Sequence, residues 1–364
     1  MEKTNNIAVN EIPSKTWSWL KMNRAAIDVP SALESVLPEV RGTGAGVSYS
    51  EKPASGELPD AAYTGGCGSS FDALFDGIQP VLITAASASG GSSGAENAPV
   101  VLDYRLSGGK SAVAAQDVFA RENSSVTVII VSSSDKGAGG FQALRTKLYA
   151  ARNAHIHLVK VQLLGAGVVQ ADETAGFCEE NASIEVTHII LGGAQTYLGA
   201  GANLSGYKSA FRSDAAYLCA DGQVLDMNYV VLQYGKKSDC QMFVNGTLRG
   251  NGRKTYRGTI DFKNGCSGST GNEQEETLLL SPQAVNNSIP VILCDEEDVS
   301  GEHGATIGRL GDDVLFYMQS RGISKESAEN IIARAKIQAL LGKVNDEETV
   351  SFVSDFMNGL FGED

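Results

Sequence analysis

The sequence is poor in proline, in aromatic residues and in positive charge. Its 364 residues include 9 prolines, aromatic residues make up 7%, and 29 Lys plus Arg face 43 Asp plus Glu, which gives a net charge of −14. A broad nucleic-acid-binding surface needs an excess of Lys and Arg, so this charge excludes nucleic acid as a partner. The low aromatic content indicates a core built from Val, Ile, Leu and Ala.

Long apolar runs and paired cysteines are also missing. No stretch approaches the roughly 20 consecutive apolar residues that a membrane span needs, and the N-terminus lacks the apolar run of a secretory signal. The six cysteines form no Cys-x-x-Cys pair and have no zinc-finger spacing. We therefore expect a cytoplasmic protein with reduced thiols and no membrane segment.

The common catalytic motifs are absent as well. The chain has no His-Glu-x-x-His, no Gly-x-Ser-x-Gly, no P-loop and no Rossmann glycine pattern. His155 and His157 lie on one face of a predicted strand, but no third ligand is near, so they are interpreted as surface or ladder residues. His188 lies inside an apolar strand and is interpreted as structural. We expect a protein that is not an enzyme.

Glycine, in contrast, is abundant, with 41 residues. From about residue 78 to about 305, short β-branched runs recur between Gly, Asn, Asp and Ser, and several alternate as half-buried strands do. So many short strands allow a sandwich, a propeller or a β-solenoid. The lack of a blade repeat disfavours a propeller, and the small core residues favour a parallel β-helix. Residues 140–154 are the exception, since they read as helix or loop.

The patterns divide the chain into three regions. Residues 1–77 are predicted to be irregular or short helical, residues 78–305 to form the β-helix, and residues 306–364 to form a helical domain. Ser324 is a predicted N-cap, and Asn345 with Glu348 is a predicted capping box. The helices carry so much apolar surface that they must pack on the β-block or on a partner.

His303 lies where the strand pattern gives way to the helical one. Residues 295–313 contain seven acidic residues and one arginine. One interpretation is a solvated acidic loop with a titrating histidine. The other is a metal ligand, with Glu302 and Cys294 nearby in sequence. The residues alone leave both interpretations open.

Segments on both sides of this boundary resemble the SufB/SufD family of iron–sulfur cluster assembly scaffolds. The resemblance is carried by EHGATIGRL at 302–310 and LFYMQSRGI at 315–323, by YRGTID at 256–261 and NEQEETLLLS at 272–281, and by WSWLKMN at 17–23. It implies a right-handed parallel β-helix followed by a helical domain. In this family, two paralogues pair through their β-helices, and the C-terminal helices bind the ABC-type ATPase SufC.

Within the family, the resemblance favours SufD over SufB. SufB has a cysteine about twenty residues before the Glu-His pair, and Ala284 stands at that position here. Cys294 is too close to His303 to replace it. In SufD the matching histidine contributes to the assembly site at the partner interface, and His303 falls on it. Glu302 is closer to the SufB form, and the chain is short at its N-terminus for a SufD protein.

The resemblance therefore implies a non-catalytic scaffold that pairs with a SufB-type paralogue and forms a homodimer when alone. His303, with Glu302, is expected to contact a transient iron–sulfur cluster at the interface, and no cofactor is expected to stay bound to the isolated chain. The residues expected to dock a SufC-type ATPase are Phe316, Tyr317, Arg321 and Ile323. Three alternatives are a secreted-type, carbohydrate-active β-helix enzyme, a SufB-type homodimeric scaffold, and a purely structural SufD-type subunit in which His303 has no chemical role.

Overall fold

A computed structural model describes residues 4–15, 18–42, 46–87 and 98–361. The chain is mainly β: a β-solenoid of about seven turns, followed by helices at its C-terminal end. The parallel β-helix predicted from the short strands and polar turns is thereby confirmed. Trp17, in the N-terminal motif, lies outside the described residues.

The first 77 residues contain several short strands, although an irregular or short helical segment was predicted. β1 and β2 pair antiparallel, and the Asn10 side chain that follows β1 donates to Asp226 Oδ1 on the solenoid at 2.7 Å. The elements are β1 (Thr4–Val9), β2 (Ala25–Pro30), β3 (Glu34–Ser35), β4 (Glu39–Arg41), β5 (Val47–Ser50) and helix α1 (Ser69–Asp72). The domain boundaries near 77 and 305 stay predictions.

The solenoid consists of two sheets that face each other across a filled lumen. Its strands are β6 (Val81–Ala85), β7 (Val100–Leu106), β8 (Lys110–Ala120), β9 (Ser125–Ser134), β10 (Gly139–Ala150), β11 (His155–Leu164), β12 (Gly167–Cys178), β13 (Ser183–Gly192), β14 (Gln195–Leu204), β15 (Ala210–Cys219), β16 (Val224–Gln233), β17 (Asp239–Leu248), β18 (Arg253–Phe262), β19 (Ser269–Leu279), β20 (Val285–Cys294) and β21 (Val299–Gly308). Even-numbered strands form one sheet and odd-numbered strands the other, and neighbours within each sheet run parallel.

Residues 140–154 contain strand β10 instead of the predicted helix or loop. Both faces of this strand are buried. Leu144 and Leu148 face the lumen core, while Phe141 and Ala143 pack in a second core that includes residues of the N-terminal segment. Burial on both sides removes the polar–apolar alternation that identifies a half-buried strand, so the pattern was misleading.

Three helices follow the solenoid: α2 (Asp312–Ser320), α3 (Lys325–Leu341) and α4 (Glu347–Phe361). The predicted Ser324 cap is confirmed, since its side chain accepts the N–H of Ser327. The third helix is capped differently from the prediction, because Asp346, and not Asn345, accepts the Thr349 N–H at 2.9 Å. Among the described residues, no helix has the length and apolarity to cross a membrane.

Helices α3 and α4 cover the outer face of the odd-numbered sheet. Their buried side chains Ile337, Val353 and Met357 join a core with Val159, Ile189 and other outward-facing residues of that sheet. Most of the apolar surface predicted on these helices is therefore used inside the chain. Helix α2 differs, since none of its residues is buried.

Candidate functional site

The C-terminal end of the solenoid is open. Within the described residues, β20 pairs only with β18 and β21 only with β19, so each sheet ends in a ten-residue strand whose outer edge is unpaired. At the other end, the short strands β4 and β5 pair antiparallel with β7 and β6. We call the open end formed by β20 and β21 the rim.

His303 stands on the lumen side of the rim. In parallel strands, residues in register point to the same face. His303 is in register with Glu273, which is 2% exposed inside the lumen. The imidazole is therefore at the mouth of the lumen, and it is exposed.

Glu302 lies on the opposite face of the same strand. Its register partner is Asn272, whose side chain donates to Gln241 on the outer face. Successive residues of a strand alternate between faces, so the structure does not bring Glu302 and His303 together. The two residues were grouped in the sequence because they are adjacent, although strand alternation separates them.

Cys294 shares the lumen side of the rim. It is in register with Phe262, a buried residue of the lumen core, and it is the exposed cysteine of the chain. Its thiol donates to the Glu296 carbonyl at 3.0 Å. Even so, in the described ranges no three His, Cys, Asp or Glu side chains are grouped to hold a metal ion. The rim of one chain offers single ligands and not a complete metal site.

Directly beneath the rim, the lumen holds a hydrogen-bonded polar network. Lys254 forms a buried ion pair with Glu275 and donates to Asn286 Oδ1 at 2.9 Å. Glu275 also accepts from the hydroxyls of Ser288 and Thr277. Burial lowers the pKa of Lys254, and Glu275 opposes that shift. These buried charges are thus compensated, as a stable interior requires.

Glu273 lies beside this network, but its carboxyl has fewer hydrogen-bond partners. Its Oε2 and the nearby Tyr256 hydroxyl form no well-aligned hydrogen bond, although the hydroxyl is close enough to oppose the rise in the pKa of Glu273. Burial, followed by the charge of Glu275, raises the pKa of Glu273 to about 8. Across the lumen stands Gly258, where an added Cβ would lie 2.3 Å from Glu273 Oε1. Because residue 258 is a glycine, there is room for the Glu273 carboxyl.

Sequence reasoning did not single out Glu273. A signal was present, because polar and buried positions alternate along β19 and Glu273 precedes His303 by 30 residues, one solenoid coil. Recognising it required the register between coils.

Part of the acidic segment near His303 has a structural role. The Glu296 carboxylate accepts the Gly265 N–H at 2.9 Å, and Asp298 accepts from the Ser267 hydroxyl at 2.6 Å. These bonds tie the last turn of the solenoid to the turn one coil before it. The Gly265 N–H, as the largest cause, lowers the pKa of Glu296.

The other histidines serve the solenoid. His155 Nδ1 lies 2.8 Å from Ser183 Oγ, and His157 is hydrogen-bonded to a threonine of the neighbouring strand. His188 Nδ1 lies 2.8 Å from the Tyr229 hydroxyl inside the lumen. Burial lowers the pKa of His188 to about 3, so its ring is neutral at physiological pH. None of these arrangements resembles a metal centre.

Helix α2 presents an exposed apolar surface. Phe316 is 74% exposed and Tyr317 is 60% exposed. The Arg321 guanidinium lies 5.4 Å from the centre of the Tyr317 ring, whereas Ile323 is half-buried in the turn that follows. Val314, which was not predicted to be part of this surface, is 46% exposed. The first three residues of the predicted docking set thus lie on accessible surface.

The sequence is similar to a known protein family and to several of its curated members. The profile of the family "SUF system FeS cluster assembly, SufBD core domain" matches residues 105–336. "Iron-sulfur cluster assembly protein SufD" of Bacillus subtilis is 30% identical over 102 residues, which is 28% of this chain and 23% of that protein. "Iron-sulfur cluster assembly protein SufB" of the same organism is 26% identical over 161 residues, or 44% and 35% of the two chains.

A third relative, "Iron-sulfur cluster assembly SufBD family protein" of Staphylococcus epidermidis, is 26% identical over 194 residues. That alignment covers 51% of this chain and 40% of the relative. The chain thus aligns with less than half the length of each of these curated relatives. The family profile, however, covers more than half of the sequence, and the resemblance seen in the motifs is confirmed. The chain belongs to the SufBD family of iron–sulfur cluster assembly proteins.

Proposed function

We propose that this chain is a SufD-like, non-catalytic scaffold subunit that acts in the cytoplasm and pairs with a SufB-type paralogue through its rim. The observation that carries the proposal is the open end of the solenoid, where an exposed histidine stands at the mouth of the lumen. A long strand with an unpaired edge is a template for pairing with another chain. Here two such strands, one from each sheet, face each other across the lumen.

Pairing at the rim would extend both sheets at once. A second β-helix that meets β20 and β21 end to end supplies partners for both rows of backbone N–H and C=O groups. The rim of a second copy has the same form, so we propose a homodimer when the paralogue is absent. A SufB-type paralogue would replace one copy.

Within that pair, we propose that His303 gives its imidazole to the nascent cluster. The cluster is cargo, held briefly between two chains, and the isolated chain keeps no cofactor. Imidazole nitrogen is a suitable ligand for iron, as thiolate is. Because the rim of one chain is not a complete site, the remaining ligands, including a thiolate, come from the paralogue. We assign the ligand role to His303 alone, since Glu302 faces outward.

Helix α2 is the proposed docking surface for a SufC-type ABC ATPase. Its exposed Phe316 and Tyr317, with Arg321 beside the tyrosine ring, form the kind of aromatic and arginine cluster that dominates binding energy at interfaces. Helix α3 packs beside α2 and, together with α4, covers the odd-numbered sheet, so the proposed docking surface is attached to the solenoid through α3.

Co-expression with a SufB-type and a SufC-type protein tests this function. Native mass spectrometry should give a complex that contains all three proteins. The double variant Phe316→Asp, Tyr317→Asp should lose the ATPase and keep the paralogue. Tyr234→Asp, at an exposed aromatic of the solenoid, is the matched control and should keep both. Absence of any association in wild type would contradict the scaffold function, and retention of the ATPase by the double variant would contradict the docking surface.

A further inference from the structure

Glu273 is the side chain directly beneath His303. The two residues are in register on neighbouring parallel strands, so they point to the same face. Neighbouring strands are about 4.8 Å apart. The Glu273 carboxyl is therefore the nearest buried polar group that the β19 face offers to the imidazole.

The residue opposite the carboxyl leaves room for it. Gly258, on the facing strand, leaves the space that the carboxyl occupies, since a Cβ at 258 would lie 2.4 Å from Glu273 Cδ. The carboxyl is not part of the neighbouring ion pair, which Lys254 and Glu275 complete with each other.

Glu273 Oε2 nevertheless forms no well-aligned hydrogen bond, although the residue is 2% exposed and has the Tyr256 hydroxyl as a polar neighbour. An unsatisfied buried oxygen costs about 1–3 kcal/mol, so most such atoms in native proteins are paired. The His303 backbone pairs with β19, but its imidazole forms no hydrogen bond or ion pair with the described part of the chain. An imidazole without a partner and a carboxyl oxygen without a well-aligned hydrogen bond thus lie on one face, and a donor and an acceptor of this kind are complementary.

We propose that Glu273 is a positioning residue that orients the His303 imidazole for the cluster. This inference rests on the proposed function of His303. A histidine that binds metal through one ring nitrogen usually donates its other N–H to a carboxylate or carbonyl oxygen, which fixes the ring. Glu273 Oε2 is such an acceptor, and it lies on the lumen side, away from the partner chain.

The test compares three substitutions at 273 in the full chain. Glu273→Gln keeps an acceptor oxygen, Glu273→Ala removes it, and Glu273→Leu removes it while filling the space, in case the alanine variant fails to fold. Gln274→Ala is the matched control, because residue 274 is exposed on the opposite face. The readouts are the imidazole ¹⁵N shifts of His303, assigned by their loss in His303→Ala, and the iron content of the complex with the paralogue.

We expect one dominant His303 tautomer in wild type, Glu273→Gln and Gln274→Ala, and a mixture in the alanine and leucine variants. Loss of an outer ligand partner typically weakens metal binding 10–100-fold, so iron content at limiting iron should fall at least about tenfold in those two variants and recover in Glu273→Gln. Unchanged ¹⁵N shifts in both the alanine and leucine variants would overturn the proposal. Changed shifts together with normal iron content in His303→Ala would support the Glu273–His303 contact and refute the ligand role instead.

Discussion

The two ends of the solenoid are built differently. At the N-terminal end, β4 and β5 are three and four residues long and run antiparallel to the strands they cover. At the C-terminal end, β20 and β21 are ten residues long and uncovered in the described ranges. Natural sheets protect their edges with short strands or covering segments. One end thus follows this rule, and the other is available for pairing.

The N-terminal end of the solenoid, which we call the closed end because β4 and β5 cover its edges, is also attached to the helical region. Arg41, the last residue of β4, makes a two-pronged ion pair with Asp346 at 2.8 and 2.9 Å and donates to Thr349 at 3.1 Å. Asp346 caps the N-terminus of helix α4, and Thr349 lies in its first turn. The chain therefore joins its covering strand to the helix that packs on the odd-numbered sheet, while β21 remains free of such a contact.

The largest effect is expected from a charge placed on the lumen side of the rim. Ala305 is exposed and in register with Glu275, so it faces the lumen. Ala305→Lys would have to bury its charge when a second β-helix stacks on the rim, and the dissociation constant should rise about 100-fold or more. Analytical ultracentrifugation measures this change.

The adjacent residue supplies the control for that experiment. Thr306 is exposed but faces outward, so Thr306→Lys should associate like wild type. Equal behaviour of the two lysine variants would mean that the rim is not the pairing surface.

The next largest effect is expected inside the lumen. Lys254→Met leaves Glu275 buried and unpaired, which should lower the free energy of unfolding by about 3–5 kcal/mol. The double variant Lys254→Met, Glu275→Leu should recover most of that loss, because no charge stays unpaired. Urea denaturation at pH 7 tests both. A single variant as stable as wild type would show that the lumen is hydrated there.

His188 is buried inside the lumen, whereas His303 is exposed at the rim. The pKa of His188 is about 3 in the folded chain because of burial, against about 6.5 when unfolded. The stability that comes from its neutral ring is complete above about pH 6.5 and is lost as pH falls toward 3, by at most about 1.4 kcal/mol per pH unit.

His188→Gln should therefore lose less stability than wild type when the pH is lowered from 7.5 to 4.5. Urea midpoints at the two pH values give the comparison. Matching pH dependence in the two proteins would place His188 in contact with water.

The smallest of these stability effects is expected at the closed end. Arg41→Ala removes a partly exposed ion pair and should lower the free energy of unfolding by about 1–2 kcal/mol, with no change in association. Thermal unfolding and sedimentation, measured together, test this separation of roles. Weaker association in the Arg41 variant would show that the two ends are coupled.

Much of the fold could be predicted from the sequence because many of its strands must bury an apolar face in the lumen. A half-buried strand such as β19 alternates, and small core residues with polar turns favour a solenoid. The prediction failed at β10, where Phe141 and Leu144 are buried on opposite faces. It also failed at the α4 cap, where Asn345 and Asp346 are adjacent and equally suited to the role.

The site was predictable only in part. The motif around 302–310 located His303, and strand alternation would have separated Glu302 from it. Glu273 could not be placed from sequence, since the coil length varies: Gly139 pairs with Gly167, 28 residues on, while Lys254 pairs with Asn286, 32 residues on. Register between coils depends on turn lengths and packing, which no local pattern records.

The measurement that tests the central claim most directly is the iron and sulfide content of the complex after anaerobic reconstitution, for wild type, His303→Ala and Glu302→Gln. Both residues are exposed on β21, and they differ in the face they occupy. We predict that His303→Ala assembles with the paralogue but forms at least about tenfold less cluster, while Glu302→Gln matches wild type. A normal cluster content in His303→Ala, or an equal loss in Glu302→Gln, would contradict the assignment of the lumen side of the rim as the working site.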